Sequence, residues 1–174
     1  MGNPEVKFQE VKARMAQGER FIFIHHSASD WGTALEIDRW HREDRGWKMI
    51  GYSFVVLNGY PTAEDFQHGR YSAVLDGSIE CGRPLDLDSE IEEDEVGAHV
   101  YGLNRNSIGI CAVHKTLPYS IRQIFGLITI TREVMRILDI PVYNVLGHCE
   151  VDPNKPLCPG LDMWWFRNML ISWR

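Results

Sequence analysis

Residues 21–24 read Phe-Ile-Phe-Ile, an unbroken apolar run that stops at His25 and His26. Successive side chains of a strand point to opposite faces, so four apolar residues in a row stay dry only if both faces are covered. The run therefore predicts an interior strand with a layer of structure on each side. "NSIGICAV", residues 106–113, reads the same way, and "YSFVVL", "IECGR" and "VYNVLGH" supply further strands. Between them lie helical patterns. "NPEVKFQEVKARMAQG" spaces Val6, Val11 and Met15 as a short amphipathic helix ending at Gly18, and "TALEIDRWHREDRGW" offers Leu35, Ile37 and Trp40 as a packed face closed by Gly46. After Pro118, a long pattern from Tyr119 to Asp139 turns Ile124, Leu127, Ile128 and Val134 toward a core. "LDMWWFRNMLISW" predicts a last helix laying its aromatic and aliphatic face over the sheet. Strands alternating with helices predict an α/β fold, a central mixed β-sheet flanked by helices.

A chain of 174 residues without internal repeat or linker is expected to form a single domain. Two segments depart from the alternation: an excursion at about 58–78, rich in turns and carrying Tyr60, Phe66, His68, Arg70 and Tyr71, and an acidic loop at about 86–95. The loop lacks the spacing of a calcium-binding EF-hand and reads as a solvated surface. A net charge of -6 leaves no basic footprint for nucleic acid as a main ligand. The first twenty residues contain no continuous apolar segment, so synthesis in the cytosol without signal peptide or membrane anchor is expected. Val6 stands where a myristoylation signal needs Ser or Thr. Four cysteines without a CxxC pair argue against a disulfide framework.

The chemistry concentrates in "VLGHCEVDPNKPLCPG", residues 145–160. His148 falls at the carboxyl end of a predicted strand, Cys158 follows across a loop, and His25 ends the first buried strand. Donors at strand ends can converge, and zinc accepts imidazole nitrogen and thiolate sulfur; a catalytic zinc uses three protein ligands. Taken one by one, each of these residues is also compatible with plain packing. Strand alternation turns His26 away if His25 faces the site; a bulge would exchange neighbours, which keeps His26 and Cys149 as alternates.

Five blocks in order, "FIFIHHSAS", "EIDRWHREDRGW", "GYSFVV", "GAHVYGLNRNSIGI" and "GHCEVDPNKPLCPGLDMWW", resemble the zinc-dependent N-acetylmuramoyl-L-alanine amidases. These include amidase-type phage lysozymes and share a fold with the peptidoglycan recognition proteins. The resemblance implies Zn2+ as cofactor, with His25, His148 and Cys158 as its ligands. It implies a catalytic Tyr52 and a catalytic Lys155; Pro156 occupies the position where phage members commonly carry the lysine, and Ser53 stands where a histidine often follows the tyrosine. His99 matches a residue near the substrate groove. The implied activity is hydrolysis of the bond between N-acetylmuramic acid and L-alanine in peptidoglycan by a monomeric endolysin, made in the host cytoplasm and acting on the wall after release. Two alternatives stand beside this reading: a non-catalytic peptidoglycan-binding module of the same fold, which the resemblance also implies, or a closed structural zinc site in which His26 or Cys149 completes four ligands.

Overall fold

In the computed structural model, which describes residues 3–86, 88, 90–116 and 118–172, one five-stranded mixed sheet forms the centre of a single α/β domain. The elements run α1 (Pro4–Met15), β1 (Phe21–His26), α2 (Ala34–Glu43), β2 (Phe54–Val56), α3 (Ala63–Gln67), β3 (Ile79–Cys81), β4 (Ser107–Ala112), α4 (Ile121–Ile137), β5 (Val145–Gly147) and α5 (Met163–Ser172). Strand order is β3-β2-β4-β1-β5, with β3 the antiparallel edge. β1 lies between β4 and β5, parallel to both. Its apolar run divides by parity. Phe21 and Phe23 pack with Val11 of α1, Leu103 and Leu146, while Ile22 and Ile24 pack beneath α4 and α5 with Leu127, Val134 and Phe166. His25 shares the parity of the phenylalanines, so it enters the α1 side of the sheet at the carboxyl end of the strand.

Several faces differ from those the patterns predict. Leu35 is 79% exposed, because α2 buries Ala34, Ile37 and His41, an i, i+3, i+7 stripe that lies on the other side of the helix. Val6 is 66% exposed, since five residues place it about 140° around the helix from the buried Val11. On α5 the inward stripe is Met163, Phe166 and Leu170, so the aromatic pair turns outward, with Trp164 72% exposed; Trp173 lies outside the described residues. The last strand is shorter than "VYNVLGH": Val142–Asn144 forms a 3-10 turn and so does His148–Glu150. Buried Asn144 donates through Nδ2 to the Arg20 carbonyl at 2.9 Å and to Glu19, satisfying its amide outside the ladder.

The 58–78 excursion folds back on itself around the short α3. Tyr60 meets Phe66 and Tyr71 at ring distances of 5.4 and 5.6 Å, and Arg70 pairs with Glu64 and Asp65. Its end is tied to α4: buried Asp76 accepts from Tyr71 Oη at 2.6 Å and from Ser120 Oγ, the α4 cap, at 2.7 Å. The backbones then nearly touch, since a Cβ on Gly126 would lie 2.4 Å from the Gly77 carbonyl oxygen. Gly126→Ala is therefore expected to lose about 1–3 kcal/mol by overpacking, although alanine is intrinsically the better helix former by about 1 kcal/mol. Urea unfolding checks this; a more stable variant would show that the two segments separate freely.

The acidic loop is anchored rather than simply solvated. Glu95, only 6% exposed, accepts from the amides of Asp86 at 2.7 Å and Glu92 at 3.0 Å. Leu87 and Ser89 of this loop, and Met1 and Gly2 of the Met-Gly start, lie outside the described residues.

Candidate metal centre

The carboxyl ends of β1 and β5 adjoin, because Ile24 pairs with Gly147, and each chain continues into a histidine. His25 and His148 meet edge to face at 4.7 Å between ring centres. Close approach demands the glycine: a Cβ on Gly147 would lie 2.8 Å from Met163 and 2.9 Å from Pro159. The turn after β5 is fixed by Glu150, which accepts from the Gly147 amide at 2.8 Å and holds Arg167 of α5 through both oxygens. The loop then returns. The Cys149 amide donates to the Cys158 carbonyl at 2.7 Å, placing Cys158 Sγ 3.9 Å from His25 Nδ1.

One ligand atom each from His25, His148 and Cys158 lies within 4.8 Å of the others, and all three residues are buried. His26 and Cys149 are not in this group. His26 Nδ1 accepts from the Ala28 amide at 2.9 Å, and its own amide donates to Cys158 Sγ at 3.4 Å. Tyr52 stands beside the trio, its ring 5.1 Å from that of His25. It is aimed by α2, where Asp38 accepts from the Ile50 amide at 2.6 Å and His41 Nδ1 accepts from the Gly51 amide at 3.1 Å. Lys155 is exposed on the returning loop, and its charge is felt at both His25 and His148. Ser53 is buried. His99 is only 8% exposed and lies behind His25, with its Nδ1 3.2 Å from His25 Nε2.

Electrostatics match this burial. Desolvation, and then the neighbouring His99 and His148, hold His25 far below the ordinary histidine range. Burial brings His148 down to about 4, although Asp152, with Oδ2 3.4 Å from its Nε2, pulls the other way. Both rings are thus uncharged near neutrality, with lone pairs to offer. Burial pushes the Cys158 thiol up to about 12, opposed by the hydrogen bond from the His26 amide. Two neutral imidazoles and a thiol that ionises only with a cation beside it form a donor set that fits zinc. The second group of metal-ligand type among the described residues, Asp86, Glu92 and Glu95, is all carboxylate, and the Glu95 oxygens are taken by backbone amides.

The partners behind the trio were not legible as such in the sequence. One signal was present: Gly109 interrupts an apolar strand, and a glycine there marks close approach by another group, which is His99.

Residues 16–161 match the profile of the N-acetylmuramoyl-L-alanine amidase family. The chain is 29% identical to the endolysin of Klebsiella phage KP32, over 87% of this chain and 88% of that protein. It is 27% identical to the endolysin of Escherichia phage T7, over 93% and 95%. Among solved structures it resembles the endolysin N-acetylmuramoyl-L-alanine amidase LysCS of Clostridium intestinale, with a TM-score of 0.66 at 25% identity, covering 88% of this chain and 84% of that one. Drosophila PGRP-LB shares the fold, with a TM-score of 0.58 at 23% identity, over 89% and 81%.

Proposed function

The chain belongs to the N-acetylmuramoyl-L-alanine amidase family, and from that membership we propose that it hydrolyses the amide between the lactyl group of N-acetylmuramic acid and the first L-alanine of the peptidoglycan stem. It does so with zinc, as a single catalytic domain and a monomer, in the role of a phage endolysin. The observation that carries this reading is the convergence of His25, His148 and Cys158 at the ends of two adjacent parallel strands. The endolysin relatives support the role in lysis. Among the described residues no helix is long and apolar enough to cross a membrane. In the endolysin role that the relatives support, the wall is reached after release from the host cytoplasm.

His25, His148 and Cys158 hold the zinc, which supplies Lewis acidity for the carbonyl and an activated water at neutral pH when bound. The remaining work belongs to the chain. Burial, with Cys111 and Cys158 nearby, holds the Tyr52 phenol far above its ordinary range, so Oη keeps its proton. It donates that hydrogen bond to the oxygen that gains charge as the lactyl carbonyl becomes tetrahedral. Lys155 adds positive charge from the returning loop.

The test is direct. The purified protein is expected to hold one zinc and to release new L-alanine amino termini from peptidoglycan; one zinc with no amino termini from intact wall or soluble muropeptides would leave a recognition module instead. Tyr52→Phe is expected to keep its zinc and its fold while kcat falls about a hundredfold to a thousandfold, the scale of a lost oxyanion donor. An unchanged kcat would remove Tyr52 from the mechanism.

A further inference from the structure

Behind His25 the hydrogen bonds run in one direction. Ser107 Oγ lies 2.6 Å from the Leu103 carbonyl and 3.2 Å from that of Asn104, and neither oxygen can donate. The hydroxyl has one proton, so it is spent there and the oxygen is left as an acceptor. His99 Nε2, 3.3 Å away, must then carry the proton that meets it. In the neutral ring this leaves His99 Nδ1 with a lone pair, which accepts from His25 Nε2 at 3.2 Å. His25 Nδ1 is consequently the bare nitrogen, and it is the atom that faces Cys158 Sγ.

The His99 ring is closely held in this position. Asn104 Oδ1 accepts from the amides of both His99 and Val100 at 2.9 Å, fixing the backbone. Cβ atoms on Gly97 and Gly109 would each come within 2.7 Å of the ring, so two glycines form its slot. Phe23, at 5.9 Å between ring centres, packs against it as well.

We propose that His99 is a positioning residue, which, through the chain Leu103 carbonyl, Ser107, His99, holds His25 in the tautomer and ring orientation that turn its Nδ1 lone pair to the metal. The inference rests on the reading of His25, His148 and Cys158 as a zinc centre. Outer partners of this kind commonly set metal affinity by about 10–100-fold.

The experiment compares the wild type with His99→Leu, which keeps bulk but has no acceptor, and His99→Asn, whose Oδ1 replaces Nδ1. Zinc affinity by chelator competition is expected to fall about 10–100-fold in His99→Leu and to recover most of that in His99→Asn, with the melting temperature of the zinc-free proteins recorded alongside. Nitrogen-15 spectra of the wild-type rings are expected to show coupling across the hydrogen bond from His25 Nε2–H to an unprotonated His99 Nδ1. A folded His99→Leu protein with wild-type zinc affinity, or a proton found on His99 Nδ1, overturns the proposal. A wild type that binds no zinc overturns the zinc centre itself, while the ring spectra still decide the direction of the chain.

Discussion

Cys158→Ala is expected to remain folded, to bind zinc far more weakly, and to release L-alanine amino termini from peptidoglycan about a thousandfold more slowly than the wild type. The fold should survive because the loop is held by backbone: the Cys149 amide donates to the Cys158 carbonyl, and the Cys158 amide donates to that of Lys155. Neither bond uses the sulfur. What is lost is the only donor of the trio that becomes an anion on binding the metal, in a buried site where two uncharged imidazoles remain. Loss of Lewis-acid stabilisation worth about 4 kcal/mol corresponds to the thousandfold in rate. Zinc content and amino-terminal analysis on the same preparation check both halves. Cys149→Ala is the control, since that thiol is outside the group of converging ligands; it is expected to keep zinc and activity. If the two variants exchange these phenotypes, the ligand is Cys149 and not Cys158.

Phe166→Ala carries the largest expected effect on stability, a loss of about 3–5 kcal/mol, from the removal of a fully buried aromatic ring and the cavity left behind. That is a large share of the roughly 5–15 kcal/mol typical of a domain. Phe166 sits on α5 in the cluster with Ile22, Ile24, Val134 and Val145. The next residue, Arg167, donates to the Val145 carbonyl and to Glu150 at 2.9 Å, so the helix also braces the turn that presents His148. Stability and metal binding are therefore expected to fall together in this variant. With the zinc site of the proposed function formed only in the folded state, zinc at about a hundred times its Kd is expected to restore up to roughly 2.7 kcal/mol. Urea unfolding with and without zinc measures both numbers. A loss below about 1 kcal/mol in the zinc-free protein would mean that α5 repacks without its anchor.

The layered α/β architecture was legible because it follows from local patterns. Four apolar residues in succession require cover on both faces, and β1 has it, between β4 and β5 in the plane and between α1 and α4 with α5 across it. The cap of α4 is likewise local, with Ser120 Oγ accepting from the Gln123 amide at 2.9 Å. Faces were harder to read. Leu35, Val6 and Trp164 are apolar yet point to water, since the side of a helix that is buried depends on where the sheet lies and not only on which residues are apolar. Glu95 reads as one more charge in an acidic run until two amides are found to need its carboxylate.

By itself the sequence determined that β1 would be an interior strand, that histidines would stand at two strand ends, and that Cys158 would follow on a loop with Pro and Gly. Only the tertiary structure decided that His25, His148 and Cys158 come within reach of one ion, and that His99 lies beneath the first of them. Those distances are set by the pairing of Ile24 with Gly147 and of Phe23 with Gly109, contacts between segments far apart in the sequence. Residue type and spacing report the face a side chain takes on its own element, whereas register between distant elements is chosen by the packing of the whole core.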